Sequence, residues 1–168
     1  MLALHGTKRK FNKFKTKFAN DKSFGFGFYF YPYEEEFLAD AQRWAGKSGY
    51  ILTVDLDIEN PLHAYDGEGA DLWDLTWDRR KEFVRDKETG RVFTDVAGEW
   101  LDSDDENLPY PERVEDIPGY MKFVQKFLES NGYDSIYNSG RNEFVVYDES
   151  RVKIIERMPM KTREWEKI

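Results

Sequence analysis

The sequence has no cysteine, only two histidines and no long hydrophobic run, and each absence excludes a class of protein. Without cysteine the chain cannot hold a disulfide scaffold, a cysteine-ligated zinc ion or a thiol nucleophile. The two histidines share no ligand spacing, so we predict no metal site. No run approaches the ~18 apolar residues of a transmembrane helix, and we expect no membrane partner. Because the first residues also lack the apolar part of a signal peptide, we expect a cytoplasmic protein.

Aromatic and charged residues are abundant instead. The 168 residues include 13 Phe, 10 Tyr and 5 Trp, and the formal net charge is −8. Long disordered chains are poor in aromatic residues, so this composition predicts a folded protein, and the length predicts a single domain, residues 1–168. Residues 1–22 hold seven Lys or Arg and one Asp, whereas residues 99–116 hold eight Asp or Glu and one Arg. Such a dipolar surface can orient a charged ligand, or the two runs are solvated loops.

Local patterns predict strands scattered between helices. Apolar and aromatic runs next to turn residues predict strands at residues 2–4, 24–30, 50–58, 135–137, 143–147 and 152–155, and residues 50–58 alternate cleanly between apolar and polar. Helical spacing predicts helices at 33–45 and 117–130, with Asp116 as a cap and Phe37, Phe123 and Phe127 in the core. Basic and aromatic residues alternate at mixed spacing over residues 8–18, where we expect a short helix. Connections of varied length favour an α+β fold with mostly antiparallel strands. Residues 60–114 fit no pattern well and are predicted to be an insertion with an acidic loop at 102–106.

Common ligand-binding motifs are not matched. The tripeptide Gly46-Lys-Ser48 ends like a phosphate-binding P-loop, but Ala41 stands where the first glycine is required. Asp55 and Asp57 share one face of a predicted strand, where a metal could bind, and are interpreted as the solvent face of that strand. Neither pattern therefore identifies a site.

Three separated segments carry the functional signal. They are Leu4-His-Gly-Thr7, Gly25-Phe-Gly-Phe-Tyr-Phe30 and Asn142-Glu-Phe-Val-Val-Tyr-Asp148. Together they resemble the nicotinamide-binding site of ADP-ribosyltransferases of the His-Tyr-Glu class, which includes poly(ADP-ribose) polymerases and diphtheria-like toxins. The layout is most similar to small ADP-ribosyltransferase domains of phage and mobile-element polyvalent proteins, which carry segments like Ile58-Glu-Asn-Pro-Leu62 and Gly132-Tyr-Asp-Ser-Ile136. The resemblance extends from residue 3 to residue 155.

The resemblance implies an ADP-ribosyltransferase-like split β-sandwich of mostly antiparallel strands with flanking helices. It implies that NAD is the substrate and that its nicotinamide is bound by groups from several segments. His5 would hydrogen-bond the adenosine ribose, Gly6 would lend its backbone N–H and C=O to the nicotinamide carboxamide, and Thr7 would add a hydroxyl. Tyr29 would stack on the nicotinamide ring, with Trp44 on the opposite face.

Glu143 is the catalytic carboxylate that the resemblance implies, together with His5 and Tyr29. It would accept a hydrogen bond from the nicotinamide ribose and stabilise the positive charge that develops there as nicotinamide leaves. Arg141 stands where arginine-specific transferases carry Glu or Gln, so an arginine acceptor is disfavoured. We expect a monomer that transfers a single ADP-ribose to a protein or nucleic-acid acceptor, in the host cytoplasm if a phage encodes it. Residues 60–114 would carry the loops that recognise the acceptor.

The sequence leaves several alternatives open. Water could be the acceptor, which would make the protein an NAD glycohydrolase, or the fold could bind a ligand without turnover. The basic and aromatic segment Lys8–Phe18 could meet the NAD pyrophosphate, bind nucleic acid without catalysis, or face solvent with its three Phe packed inward. Taken singly, His5 could close a buried hydrogen-bond network, Tyr29 and Trp44 could be core residues, and Glu143 could be exposed on an edge strand.

Overall fold

The computed structural model describes residues 1–88 and 113–168. The strands are β1 Leu2–Thr7, β2 Asn20–Lys22, β3 Gly25–Pro32, β4 Tyr50–Leu56, β5 Pro61–His63, β6 Val84–Asp86, β7 Arg113–Glu115, β8 Ser135–Asn138, β9 Glu143–Val146, β10 Val152–Pro159 and β11 Glu166–Lys167. The α-helices are α1 Leu38–Ala45, α2 Gly67–Asp78 and α3 Ile117–Ser130. Short 3-10 helices lie at Thr16–Phe18, Glu35–Phe37, Arg80–Phe83 and Glu149–Arg151. No helix within these ranges is long and apolar enough to cross a membrane.

Nine strands form one sheet in the order β11-β10-β4-β1-β3-β9-β8-β5, with β2 added to β3. In this sheet β5 and β8 pair in parallel, and the other described pairs are antiparallel. β6 and β7 form a separate antiparallel pair. The predicted α+β fold with mostly antiparallel strands is therefore confirmed. Of the predicted insertion at 60–114, residues 89–112, including the acidic residues 102–106, lie outside the described residues.

The sheet divides along β3, because the two ends of this strand have different partners. Its last two residues pair with Leu4 and Ala3 of β1, whereas Phe28–Phe30 pair with β9. The rest of β1, His5–Thr7, pairs with β4 and has no described pairing with β3. The two central strands therefore separate after Leu4, and a cleft opens between His5–Thr7 and β3.

Buried hydrophobic residues of the described ranges form a larger core, which includes Phe30 and Val145, and a smaller core, which includes Leu4 and Ala41. Helix α3 covers one part of the larger core, as its sequence pattern predicts. Tyr120, Val124 and Leu128 recur every four residues and are fully buried in this core. Asp116 caps the helix as predicted, since its carboxylate accepts a hydrogen bond from the backbone N–H of Gly119 at 3.0 Å. Local pattern and tertiary packing therefore agree for this helix.

The other aromatic residues assigned to the core lie at its margins. Phe123 packs partly buried against the larger core, Phe37 packs against the smaller core next to α1, and Phe127 is half-buried. A full helix over 33–45 is wrong at its start, because Glu35–Phe37 forms a 3-10 turn and α1 begins only at Leu38.

The segment Lys8–Phe18 contains only one 3-10 turn, so the predicted helix there is largely wrong. Distant side chains take up its backbone groups instead. Arg157 donates a hydrogen bond to the carbonyl oxygen of Phe11 at 3.3 Å, and the Glu149 carboxylate accepts one from the N–H of Thr16 at 2.6 Å. Long-range hydrogen bonds to β10 and to the 3-10 turn Glu149–Arg151 therefore hold this segment in place of helical ones.

Candidate functional site

A cleft of about 670 Å³ lies between β1, β3 and α1, within the size range of small-molecule sites. Glu143 is joined to this cleft through Tyr31, a lining residue whose hydroxyl donates a hydrogen bond to the Glu143 carboxylate. Five further residues of the predicted site line the cleft directly: His5, Gly6, Thr7, Tyr29 and Trp44. The fold thus brings together side chains from β1, β3, α1 and β9 that are distant in the sequence.

Glu143 is buried and central, not exposed on an edge strand. It begins β9, which has β3 on one side and β8 on the other, and its side chain is 2% exposed. Its Oε1 accepts the hydrogen bond from the Tyr31 hydroxyl at 3.2 Å, whereas its Oε2 has no hydrogen-bond partner within the described ranges. A buried polar oxygen without a partner destabilises a fold. This oxygen is also closed to solvent and Glu143 does not line the cleft, so a ligand would reach it only after the side chains over it move.

Tyr31 is a site residue that the sequence analysis missed. Alternate residues of a strand share a face, so Tyr31 lies on the same face of β3 as Tyr29, and this period was the signal that could have found it. Its hydroxyl accepts a hydrogen bond from Trp44 Nε1 at 2.8 Å and donates to Glu143. Burial raises the pKa of Tyr31 to about 12, so the hydroxyl remains protonated and available to Glu143 at neutral pH.

Tyr29 and Trp44 present their ring faces to the same cation. Trp44 is 42% exposed and is not a core residue, whereas Tyr29 is buried and donates its hydroxyl to the Gly25 carbonyl at 2.7 Å. The Lys22 ammonium lies 4.8 Å from the centroid of the Tyr29 ring and 3.7 Å from that of Trp44. No sequence pattern indicated Lys22, because only the pairing of β2 with β3 brings it to the cleft.

His5 both closes a buried hydrogen bond and lines the cleft. Its Nδ1 lies 2.8 Å from the carbonyl oxygen of Tyr29, which assigns the proton of the neutral ring to Nδ1 and leaves Nε2 as an acceptor. The ring meets Phe14 edge-on, with 5.0 Å between the ring centroids. Burial lowers the pKa of His5 to about 4, so the ring is neutral at physiological pH.

Because His5 is buried, we expect the free energy of unfolding to rise with pH over the range from about 4 to 6.5. The lower limit is the pKa of His5 in the folded protein, and the upper limit is its ordinary pKa. In this window the unfolded chain binds a proton at His5 that the folded chain does not bind. We expect this residue to lower the free energy of unfolding by about 1.4 kcal/mol per pH unit as the pH falls.

Urea titrations across that window measure the effect as the difference between wild type and His5→Gln. Carboxylates such as Glu149, whose pKa is lowered by its hydrogen bonds to Thr16, give a slope in the same direction, and the difference removes their contribution. An unchanged slope in His5→Gln would contradict the prediction.

Gly6 and Thr7 line the cleft, and both have structural roles there. A Cβ on Gly6 would overlap the carbonyl oxygen of Ala41 and lie 2.9 Å from the Trp44 Cβ, so the close approach of α1 itself requires glycine. The Thr7 hydroxyl accepts a hydrogen bond from the N–H of Arg9 at 3.2 Å, in the turn that follows β1. The hydroxyl predicted for the carboxamide thus already has a backbone partner.

One wall of the cleft is basic although the chain is acidic. Its cationic lining residues are Lys8, Arg9, Lys10, Lys13, Lys15 and Lys22. None of the ion pairs between described residues involves them. Of the three Phe in this segment, Phe14 is buried and Phe11 is half-buried, whereas Phe18 is 60% exposed, so they are not all packed inward. Unpaired cations along a cleft attract phosphate groups.

No known protein family, curated protein or solved structure matches the chain. What the cleft can bind is therefore inferred from its own side chains. Its lining combines two ring faces that hold a cation with a basic wall, and it is linked through Tyr31 to the Glu143 carboxylate, one oxygen of which has no partner in the described ranges. This arrangement suits a ligand with a cationic ring, a hydroxyl group near that ring, and phosphates farther away.

Proposed function

We propose that the protein is a mono-ADP-ribosyltransferase with an ADP-ribosyltransferase-like split β-sandwich fold and that this cleft binds NAD. The observation that carries the proposal is the environment of Glu143. Its Oε2 is buried without a partner among the described residues, and its Oε1 belongs to the network through Tyr31 to Trp44. In NAD the cationic nicotinamide ring is bonded to a ribose, so a ring held by Trp44 would bring a ribose hydroxyl towards this oxygen.

Each part of NAD has suitable groups in the cleft. The pyridinium ring would lie between Tyr29 and Trp44, whose faces attract a cation. The carboxamide would bond to the backbone of Gly6, and Nε2 of His5 would accept a hydrogen bond from the adenosine ribose. The pyrophosphate would lie towards the cations of the segment Lys8–Lys15. This orientation would bring the bond to be broken towards Glu143.

The reaction breaks the bond between nicotinamide nitrogen and ribose carbon. The electron pair of this bond leaves with nicotinamide, and an oxygen or nitrogen of the acceptor bonds to the same ribose carbon and loses a proton. The ribose becomes oxocarbenium-like in between. The negative charge of Glu143, held in a buried site, stabilises this cation more than it stabilises neutral ribose. Tyr31 keeps the carboxylate oriented through its hydrogen bond.

The experiment uses NAD labelled in the ADP-ribose part, with and without cell lysate. A transferase releases nicotinamide and places label on a protein or nucleic acid when lysate is present. Release that needs no lysate and labels no macromolecule would instead make the protein an NAD glycohydrolase. If no nicotinamide is released under either condition, the proposed NAD chemistry is wrong.

The exposed Arg141 favours an acceptor other than arginine. It lies two residues before Glu143, and its charge reaches the cleft, since burial first and then the charge of Arg141 lower the pKa of Lys22. A second guanidinium approaching the reacting ribose would meet like charge. In the labelling experiment, a synthetic arginine-rich peptide should therefore remain unlabelled.

Nucleic-acid binding is a second candidate function, favoured by one observation at the basic wall. Phe18 is 60% exposed, and the Lys17 ammonium lies 4.8 Å from its ring centroid, so an aromatic face and a cation are offered together to solvent. Bases stack on such faces while phosphates meet the cations. Salt-dependent binding of single-stranded oligonucleotides that the double substitution Lys13→Glu with Lys15→Glu abolishes would support this function, and an absence of binding at low salt would exclude it.

A further inference from the structure

Lys22 occupies the space between the two rings that the proposed nicotinamide ring needs. Its backbone is held by the pairing of β2 with β3, where Lys22 lies opposite Gly25. From there the side chain reaches into the cleft, and its ammonium lies over both Tyr29 and Trp44. The structure thus already contains a cation between these rings, supplied by the chain itself.

Opposing interactions act on this ammonium. The two ring faces and the negative charge of Glu143 favour it in the cleft. Burial and the positive charge of Arg141 disfavour it. These two effects outweigh the attraction of Glu143, so the pKa of Lys22 lies below its ordinary value. No ion pair shorter than 4.0 Å holds Lys22 among the described residues. The side chain is therefore held by attractions that a ligand of like charge can replace.

We propose that Lys22 is a built-in occupant of the cation site between Tyr29 and Trp44, and that a cationic ring binds there only by displacing it. That this ring is the nicotinamide of NAD rests on the proposed function. Two cations cannot share the space between the rings, because their repulsion in a half-buried site is strong. Lys22 thereby lowers the affinity of the cleft for every cationic ring. Only a ring that interacts with Tyr29 and Trp44 more favourably than the Lys22 ammonium does can displace it.

Removing the occupant should therefore tighten binding. A ligand binds only the molecules whose site is empty, so its apparent affinity is its intrinsic affinity multiplied by the fraction of molecules with an empty site. We expect Lys22→Ala to lower the Kd for a cationic ring by about fivefold or more, given typical strengths of cation contacts with two aromatic faces. Lys22→Met keeps most of the aliphatic side chain without the charge, and should act in the same direction.

The first measurement follows Lys22 itself by NMR, in protein with isotopically labelled lysine. Ring currents should shift its ε-methylene protons upfield, and the shifted signal should be absent from Lys22→Ala. Addition of 1-methylnicotinamide, a cationic ring without a cleavable ribose, should move the signal to the value of a solvated lysine. A Lys22 signal that already has the solvated value in the free protein, or that the probe at saturation leaves unmoved, would overturn the proposal.

The second measurement is the Kd of 1-methylnicotinamide by calorimetry, with Lys126→Ala as the matched control. Lys126 is exposed on α3 and does not line the cleft, so this variant should bind like wild type. Lys22→Ala and Lys22→Met should both bind more tightly. Equal or weaker binding in both variants, or no binding by any protein, would overturn the proposal.

These outcomes are distinguishable from failure of the proposed function. If the probe displaces Lys22 but NAD releases no nicotinamide, the ring site stands and the transferase proposal is wrong. If NAD is cleaved but both Lys22 variants bind the probe no better than wild type, the transferase proposal stands and the role of Lys22 is wrong.

Discussion

Glu143→Gln is expected to lower kcat for nicotinamide release by about 100-fold or more while KM for NAD changes little. Gln has nearly the same shape and still accepts the hydrogen bond that the Tyr31 hydroxyl donates, so the site should keep its geometry. What the amide lacks is the negative charge that stabilises the ribose cation. The ribose cation develops only as the bond breaks. Loss of the carboxylate charge therefore lowers kcat more than it weakens the binding of NAD. Steady-state assays of nicotinamide release over a range of NAD concentrations measure both constants.

The matched control is Glu68→Gln. Glu68 lies exposed in the first turn of α2, outside the cleft lining, so the same chemical change there should leave kcat at the wild-type value. Circular dichroism and thermal unfolding establish that both variants are folded. A kcat for Glu143→Gln within a few-fold of wild type, in a folded protein, would show that Glu143 does not stabilise the transition state.

Gly6→Ala is expected to lower the free energy of unfolding by about 1–3 kcal/mol or more. The new Cβ would overlap the carbonyl oxygen of Ala41, which is backbone and cannot rotate away. To relieve the overlap, α1 must move off β1, and Trp44 must move with it because its Cβ also contacts this position. We therefore expect the affinity for NAD to fall together with stability. Urea denaturation and calorimetric titration of NAD measure the two effects.

Gly132→Ala separates steric overlap from backbone conformation. Gly132 has a φ of +84° and no atom within 4 Å of an added Cβ, so alanine there is disfavoured by conformation alone, by about 1–2 kcal/mol. The backbone of Gly6 is not in this left-handed region, so its penalty comes from contact. Gly132→Ala should leave the affinity for NAD unchanged. If Gly6→Ala proved no more destabilising than Gly132→Ala and bound NAD normally, the packing of α1 on β1 would not depend on this glycine.

Local sequence patterns predicted those elements whose structure depends mainly on their own residues. The capped helix α3 and the strands β1, β3, β4, β8, β9 and β10 were predicted from periodicity and turn residues alone. The segment Lys8–Phe18 was not, because Arg157 and Glu149 supply its hydrogen bonds from the far end of the chain. Spacing within a segment contains no information about such partners.

The candidate site shows the same division. Sequence motifs indicated His5, Tyr29 and Glu143, and the structure brings them to one cleft and its adjoining network. Tyr31 escaped notice although it shares the strand face of Tyr29, since no motif includes it. Lys22 could not have been found, because its place between two rings depends on the pairing of β2 with β3 and on the packing of α1.

The sequence by itself determined the fold class, the existence of the main elements and the chemical types of residue available to a site. Only the tertiary structure decided that β1 and β3 separate after Leu4, that Gly6 lies against α1, and that Lys22 lies between two aromatic rings. The physical reason is the distance along the chain between contacting groups. Tyr31 and Glu143 are 112 residues apart, and their hydrogen bond follows from strand order, which is set by long-range pairing and core packing.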